Sequence, residues 1–261
     1  MSIHPTAIID VGAEIGDGAR IGPYCHVGPN VKLGPGVILH SHVAVTGATT
    51  IGARTAVHPF AVLGGPPQHL GYRGEETKLI IGEGNVIREH VTMNVGTVAG
   101  RGETRIGSNG FFMAASHVAH DCIIGDNVIM ANNATLGGHV VIDEGAFLGG
   151  LCAIHQHCRV GAFAFIGGCA AVPTDVIPYG SAIGNHANLA GLNVVGLKRR
   201  GVTRAAIHDL RGAYKLLFSE GATFQERLAQ VEAEFGSRPE VARIIAFIKS
   251  DAPRPLMTPA R

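Results

Sequence analysis

The stretch "IGDNVIMANNATLGGHVVIDEGAFLGG", Ile124 to Gly150, places a large aliphatic side chain at every sixth position: Ile124, Met130, Leu136, Ile142 and Leu148. The same beat continues outward, through Ile154, Val160, Ile166 and Val172 on one side and Val118, Phe112 and Ile106 on the other. It resumes beyond one gap at Met93, Ile87 and Ile81, and beyond a second gap at eleven positions from Leu63 back to Ile3. The fifth place of each hexad is small or β-branched, as at Ala19, Cys25, Val31, Cys122, Val128, Ala134 and Cys158, and glycine is common at the second.

A strict six-residue period is a solenoid signature. It fits a triangular coil in which each hexad makes one flat side and one corner. The first place points a large aliphatic inward, and the fifth fits a small group into the corner. Glycine and asparagine suit the backbone angles of corners. Three hexads close one turn, so residues 18 apart stack in columns, with turns separated by about 4.8 Å, the usual strand spacing. The expected fold is mainly β, a parallel β-helix of hexapeptide repeats.

The two gaps preserve the period on either side, so each insertion projects outward as a loop. The expected loops are Gly64–Lys78, "GGPPQHLGYRGEETK", and Val98–Arg105, "VAGRGETR". Function concentrates in such loops. The hexads fade after Val172, and a helical tail follows. Thr203 is placed to cap a helix with Ile207, Leu210, Tyr214 and Leu217 on its apolar face; Thr223 and Glu226 form a capping box; Pro239 opens a last helix. The coil is assigned to residues 1–191 and the helical domain to 192–261.

The net charge of +1, with 16% charged residues, lacks the concentrated basic surface of a nucleic-acid binder. With 37 glycines, no tryptophan and 5% aromatics, the core must be built from aliphatics in a regular array. There is no signal-like start and no long apolar run for a membrane span, and the five cysteines form no CxxC pair. A reduced, cytoplasmic protein is the simplest expectation.

The motif "HVAHDC", His117–Cys122, is sorted by the register. Val118 and Cys122 occupy inward first and fifth places, so the cysteine is a core filler rather than a nucleophile. Ser116 also points inward. His120 occupies an outward third place, and 18 and 36 residues on, its column holds Gly138 and Gln156. Glycine leaves an approachable N–H beside the imidazole, and a base next to an amide donor is the minimal equipment for acyl transfer. The adjoining column reads Asp121, His139, His157, and its carboxylate can orient an imidazole.

With these residues placed, the chain resembles the UDP-N-acetylglucosamine acyltransferases that begin lipid A synthesis. "IHPTA", "GGPPQ", "HVAHDC", "ANNATLGGHV", "GGLCAIHQHCRVG", "IGNHANLAGLN" and "GLKRRG" occur in the family's order and span nearly the whole chain. The resemblance implies a left-handed coil and a homotrimer with clefts between subunits. It implies transfer of a 3-hydroxyacyl chain from acyl carrier protein to the sugar 3-position of a UDP-sugar, without metal or cofactor. His120 would be the general base, Asp121 its orienter and the Gly138 N–H the oxyanion donor. Gln68, His117, His139, His155, Gln156 and His186 would line the substrate site. Asn193 and Arg199 would hold the nucleotide, and Gly168 would leave room for a long acyl chain. "LKRR", Leu197–Arg200, is a candidate docking patch for the acidic carrier protein.

Departures fall at His69 and Gly71, where the family commonly has aspartate and lysine, at Asn94 for a histidine and at Val195 for a glutamate. They leave open a 3-hydroxyl or a 3-amino acceptor. The alternative on the same coil resembles the hexapeptide-repeat zinc carbonic anhydrases, with His117, His139 and His155 as ligands.

Overall fold

The computed structural model describes residues 2–260. Its strands are mostly two residues long and fall into three sheets, here faces A, B and C, of eleven, nine and eight strands. Within a face each strand of the coil pairs in parallel with the strand one turn away, the last strand of face A being the exception. On face A Phe111, Ile129, Phe147 and Phe165 stack in register, and on face B His117, Thr135 and Ala153 do so. These partners are 18 residues apart, as the three-hexad turn requires. The architecture is a left-handed parallel β-helix with a C-terminal helical part.

The first and fifth places fill the interior. Leu33, Val57, Met93, Val118, Met130, Leu136, Cys122, Val128 and Ala134 are all buried. Each fully buried valine, leucine or methionine among them contributes about 1.5–3 kcal/mol. Ile3, by contrast, is 40% exposed, because among the described residues its strand is paired on one side only.

Two corner features differ from the sequence reading. Left-handed backbone angles fall at the fourth place of the hexad and are adopted mostly by residues other than glycine, among them Tyr24, His42, Phe60, Asp121, His139 and His157. The second-place glycines are required for space instead. A Cβ on Gly52 would lie 2.5 Å from the Gly82 carbonyl carbon in the next turn. The corners bring successive backbones too close for any side chain there.

Both insertions leave the coil at the edge between faces B and C, on consecutive turns. The first joins Val62–Gly65 to Lys78–Ile81, and the second joins Thr92–Asn94 to Glu103–Ile106. The second loop therefore spans 95–102 rather than 98–105. Glu103–Arg105 belong to a strand because the four-residue strand Lys78–Ile81 gives them partners.

Beyond the coil, Gly180–Ile183 and Asn188–Leu192 form an antiparallel pair at the end of face A. Four helices follow: α1 Val194–Arg199, α2 Arg204–Leu217, α3 Phe224–Phe235 and α4 Pro239–Lys249. Thr203 caps α2, Thr223 and Glu226 form the capping box of α3, and Pro239 begins α4. The short α1 escaped the sequence reading because it holds Gly196 and two valines, all weak helix formers. Its cap, Asn193, supplies a side-chain acceptor for Gly196 N–H. The chain then returns to the coil, where Met257 is buried and its N–H donates to Asp175 O. Among the described residues no helix is long and apolar enough to cross a membrane.

Candidate active site

The B–C edge that emits the two loops carries "HVAHDC" on the very next turn. His117–Val118 is the last strand of face B before the corner, and Ile123–Ile124 opens face C after it. His120 and Asp121 form the corner itself, so their side chains face the loops.

Asp121 is fully buried, which is costly for a carboxylate unless every lone pair is used. The second loop meets that need. The Thr97 N–H and the Arg101 N–H donate to Oδ1 at 3.1 and 2.8 Å, and the Thr97 hydroxyl donates to Oδ2 at 2.7 Å. The Arg101 guanidinium donates to the Asp121 carbonyl, and Thr104 Oγ1 accepts from the Asp121 N–H. His120 Nδ1 completes the set at 2.8 Å from Oδ2. Burial by itself raises the Asp121 carboxyl, but the hydrogen bonds from Thr97, His120 and Arg101 outweigh it and hold the group below the ordinary aspartate range.

An ionised Asp121 accepts only, so in the neutral imidazole His120 Nδ1 carries the proton and Nε2 the lone pair. Its side chain is 13% exposed, so the outward third place has become a sheltered one. Gly138 provides the shelter's upper wall: a Cβ there would lie 2.7 Å from Nε2. Among the described residues nothing accepts from the Gly138 N–H. The His69 ring from the first loop meets His120 edge-on at 5.3 Å.

The second column closes the site from above. His139 Nε2 lies 3.8 Å from Asp121 Oδ2, and the His139 and His157 rings stack at 4.5 Å. Burial lowers His139, with Asp121 partly opposing. His117 accompanies them, its Nδ1 held by Thr92 Oγ1 at 2.7 Å; burial and then His120 lower it. Both are thereby biased toward the neutral imidazole.

His120, Asp121, Gly138 and His139 are thus brought together, with His117 beside them. Gln68 is exposed on the first loop next to His69, and His155 and Gln156 are exposed at the same edge above Gly138. Gly168 and His186 lie elsewhere, at the corner between faces A and B; a Cβ on Gly168 would meet only the Gly150 carbonyl. Asn193 and Arg199 line a groove of about 600 Å³ over face A, together with Phe147, Phe165 and Val195. Asn193 spends its Oδ1 on the α1 cap and one Nδ2 hydrogen on Phe163 O, which leaves one N–H free. Of the departures, Asn94 is buried and its Oδ1 has no partner, while Val195 is exposed. Thr97, Arg101 and Thr104 were missed by sequence reasoning because they lie at or beside an insertion outside the register.

Among the described residues the one three-residue group spaced for a metal ion is His120, Asp121 and His139, not the triad His117, His139 and His155. The carboxylate of that group is committed to four protein donors. Such an arrangement has the geometry for proton abstraction beside a free amide donor.

Residues 175–257 match the family model for UDP-N-acetylglucosamine O-acyltransferase domain 2, and residues 12–47 and 103–138 match the bacterial transferase hexapeptide model. An acyl-[acyl-carrier-protein]–UDP-N-acetylglucosamine O-acyltransferase of Caulobacter vibrioides is 58% identical over 261 residues, covering 100% of this chain and 99% of that one. The protein of that name from Rhizobium johnstonii is 50% identical, over 99% of this chain and 95% of its own. Among solved structures, LpxA from Acinetobacter baumannii superposes with a TM-score of 0.95 at 42% identity, over 98% of this chain and 99% of that one.

Proposed function

The chain belongs to the acyl-[acyl-carrier-protein]–UDP-N-acetylglucosamine O-acyltransferase family, and we propose on that footing how its own residues carry out the transfer. It is an acyltransferase of lipid A biosynthesis, and the carbonic anhydrase alternative falls away. His120 is the general base. Its Nε2 takes the proton of the sugar 3-hydroxyl as that oxygen attacks the thioester carbonyl carbon of a 3-hydroxyacyl carrier protein. The Gly138 N–H donates to the resulting oxyanion. When the C–S bond breaks, the proton returns from His120 to the leaving thiolate, so no acyl-enzyme forms. Asp121 keeps His120 in the tautomer this requires and stabilises the imidazolium. The observation that carries the reading is the 2.8 Å His120–Asp121 pair beside an unpartnered Gly138 N–H.

His117, His139, His155, Gln156 and Gln68 surround the sugar and the reacting thioester. Asn193 and Arg199 hold the nucleotide end, an arginine suiting phosphate. A single chain cannot bring the two ends together. His120 sits on the edge between faces B and C, the edge opposite face A, where Asn193 and Arg199 lie. A homotrimer that sets one subunit's B–C edge against the next subunit's face A completes the site. Gly168 leaves space for a long acyl chain. His186, paired at Ala171 one corner away, flanks the same channel. The exposed Lys198, Arg199 and Arg200 offer a docking surface for an acidic carrier protein. A cytoplasmic setting is in keeping with its five free cysteines.

The test is direct transfer. Purified protein with 3-hydroxyacyl carrier protein converts UDP-N-acetylglucosamine to its 3-O-acyl product, and His120→Ala loses several orders of magnitude in rate while melting normally. Transfer only to the 3-amino sugar replaces the acceptor, and transfer to neither overturns the reading.

A further inference from the structure

The strap that follows α4 makes an unexpected contact with the candidate site. Residues 250–258 run back along the coil and are pinned at both ends. Arg159 Nη1 donates to Ser250 Oγ at 2.6 Å at the start. At the far end the Asp175 N–H donates to Pro255 O, the Met257 N–H donates to Asp175 O, and the Met257 side chain is buried. Between these anchors Arg254 turns toward the B–C edge. Its Nη2 lies 2.8 Å from His155 Nδ1, and its Nε donates to Gln156 O at 3.1 Å. The two hydrogen bonds fix the guanidinium in its plane.

A guanidinium donates only. The ring nitrogen it meets must therefore present a lone pair, which leaves the His155 proton on Nε2. Nδ1 also lies 3.1 Å from Gln156 O, but that is a hydrogen bond only in the opposite tautomer, which would set Nδ1–H against a guanidinium N–H. The same carbonyl already accepts from Arg254 Nε. Without Arg254, the neighbouring carbonyl would draw the proton to Nδ1 and turn Nε2 into an acceptor.

We propose that Arg254 is a positioning residue: it sets the His155 tautomer so that Nε2–H is offered as a donor to an oxygen of the bound sugar nucleotide. This rests on the placement of the substrate at the B–C edge. The C-terminal strap is thereby part of the active site, some 134 positions from His120 in the sequence (254 − 120). Arg254 touches no reacting atom. It acts on binding, whereas His120 acts on the chemical step.

The test is the imidazole 15N spectrum of the full-length protein together with steady-state kinetics of Arg254→Ala and Arg254→Lys. In the parent protein His155 Nδ1 resonates as an unprotonated nitrogen and Nε2 as a protonated one. In Arg254→Ala the assignment reverses or averages, and KM for UDP-N-acetylglucosamine rises about tenfold, as loss of one hydrogen bond to a charged or polar group implies, with kcat within about twofold. Arg254→Lys keeps a donor and restores much of the KM. An unchanged spectrum in Arg254→Ala, or a parent protein with the proton already on Nδ1, overturns the proposal. A fall in kcat without a change in KM overturns it too. A parent protein that gives the expected spectrum but transfers no acyl group instead overturns the site reading.

Discussion

The imidazole of His120 occupies the space that a side chain at Gly138 would fill: a Cβ there would fall 2.6 Å from Cε1 and 2.7 Å from Nε2. Gly138 does not need its freedom of backbone angle, since its φ lies outside the left-handed region. Its missing side chain is what allows the His120 imidazole to stand beside the Gly138 N–H.

Gly138→Ala therefore separates position from presence. The clash is with the end of a side chain that can swing aside, so the coil folds, with stability lowered by about 1–3 kcal/mol where the His120–Asp121 hydrogen bond is lost. Displacing the base by about 1 Å costs about 10²-fold in kcat. A rate within a few-fold of the parent would show that His120 works from another rotamer.

Asp121→Asn tests the orienter. The amide would turn an NH2 toward one of the donors now served by the carboxylate, either the loop amides or His120 Nδ1. If His120 takes the opposite tautomer, Nε2 is protonated and cannot act as base. A loss of about 10³–10⁴-fold in kcat is expected, by analogy with the corresponding change in the serine-protease triad. The loop should also become more open to proteolysis. Kinetics within tenfold of the parent would remove Asp121 from the mechanism.

Much of this was legible in the sequence, for a physical reason. The coil repeats so strictly that register alone assigns inward and outward places. His120, Gly138, Asp121 and His139 are corner residues on adjacent turns, so the 18-residue column found them. Thr97 and Arg101 were invisible because their loop follows no period. Arg254 was invisible because only the fold of the helical tail brings it to His155. The corner angles were misread for a different reason. The turn-to-turn hydrogen bonds along the coil impose the left-handed angle on whatever residue stands fourth, so Asp121 and His139 adopt it at a cost of about 1–2 kcal/mol each.

Stability should fall on mild acidification. His117 and His139 are held below the ordinary histidine value of 6.5, chiefly by burial. Below that pH the unfolded chain binds protons that the folded chain refuses, so the contribution is complete above pH 6.5 and is lost as pH falls through the lowered folded values. Asp121 adds a second loss at much lower pH, below its unfolded value of 3.8. Urea unfolding between about pH 7.5 and 5.5 should show declining stability, with a shallower slope in His139→Gln. An equal slope in the variant would assign the effect elsewhere.

Gly168→Met should change acyl preference without changing fold. A Cβ there meets only Gly150 O, at 3.3 Å, so the side chain projects off the coil rather than into it. Blocking the seats of about two methylenes costs roughly 1.6 kcal/mol, or about 15-fold in kcat/KM for the longest donor, and spares shorter ones. A panel of 3-hydroxyacyl carrier proteins measures the crossover. Uniform loss across chain lengths would place the acyl channel away from Gly168.

Gly100 poses a sharper version of the Gly138 question. A Cβ on Gly100 would lie 2.5 Å from both carboxylate oxygens of Asp121. Here the neighbour cannot swing aside, because Asp121 is fully buried and tied by four donors. In Gly100→Ala the second loop must lift, taking the Thr97 and Arg101 amides off the carboxylate. The carboxyl then loses the hydrogen bonds that offset its burial, its pKa rises, and His120 loses its fixed tautomer. We expect kcat to fall about 10²-fold or more, with the coil intact because the loop lies outside the hexads. Gly102→Ala is the matched control. It stands two residues away at φ +71 with nothing within 4 Å of its Cβ, so alanine there strains the backbone without approaching Asp121. That strain costs about 1–2 kcal/mol of stability and should leave kcat within about twofold. If the two variants lose activity equally, loop stability rather than the seating of Asp121 governs the rate.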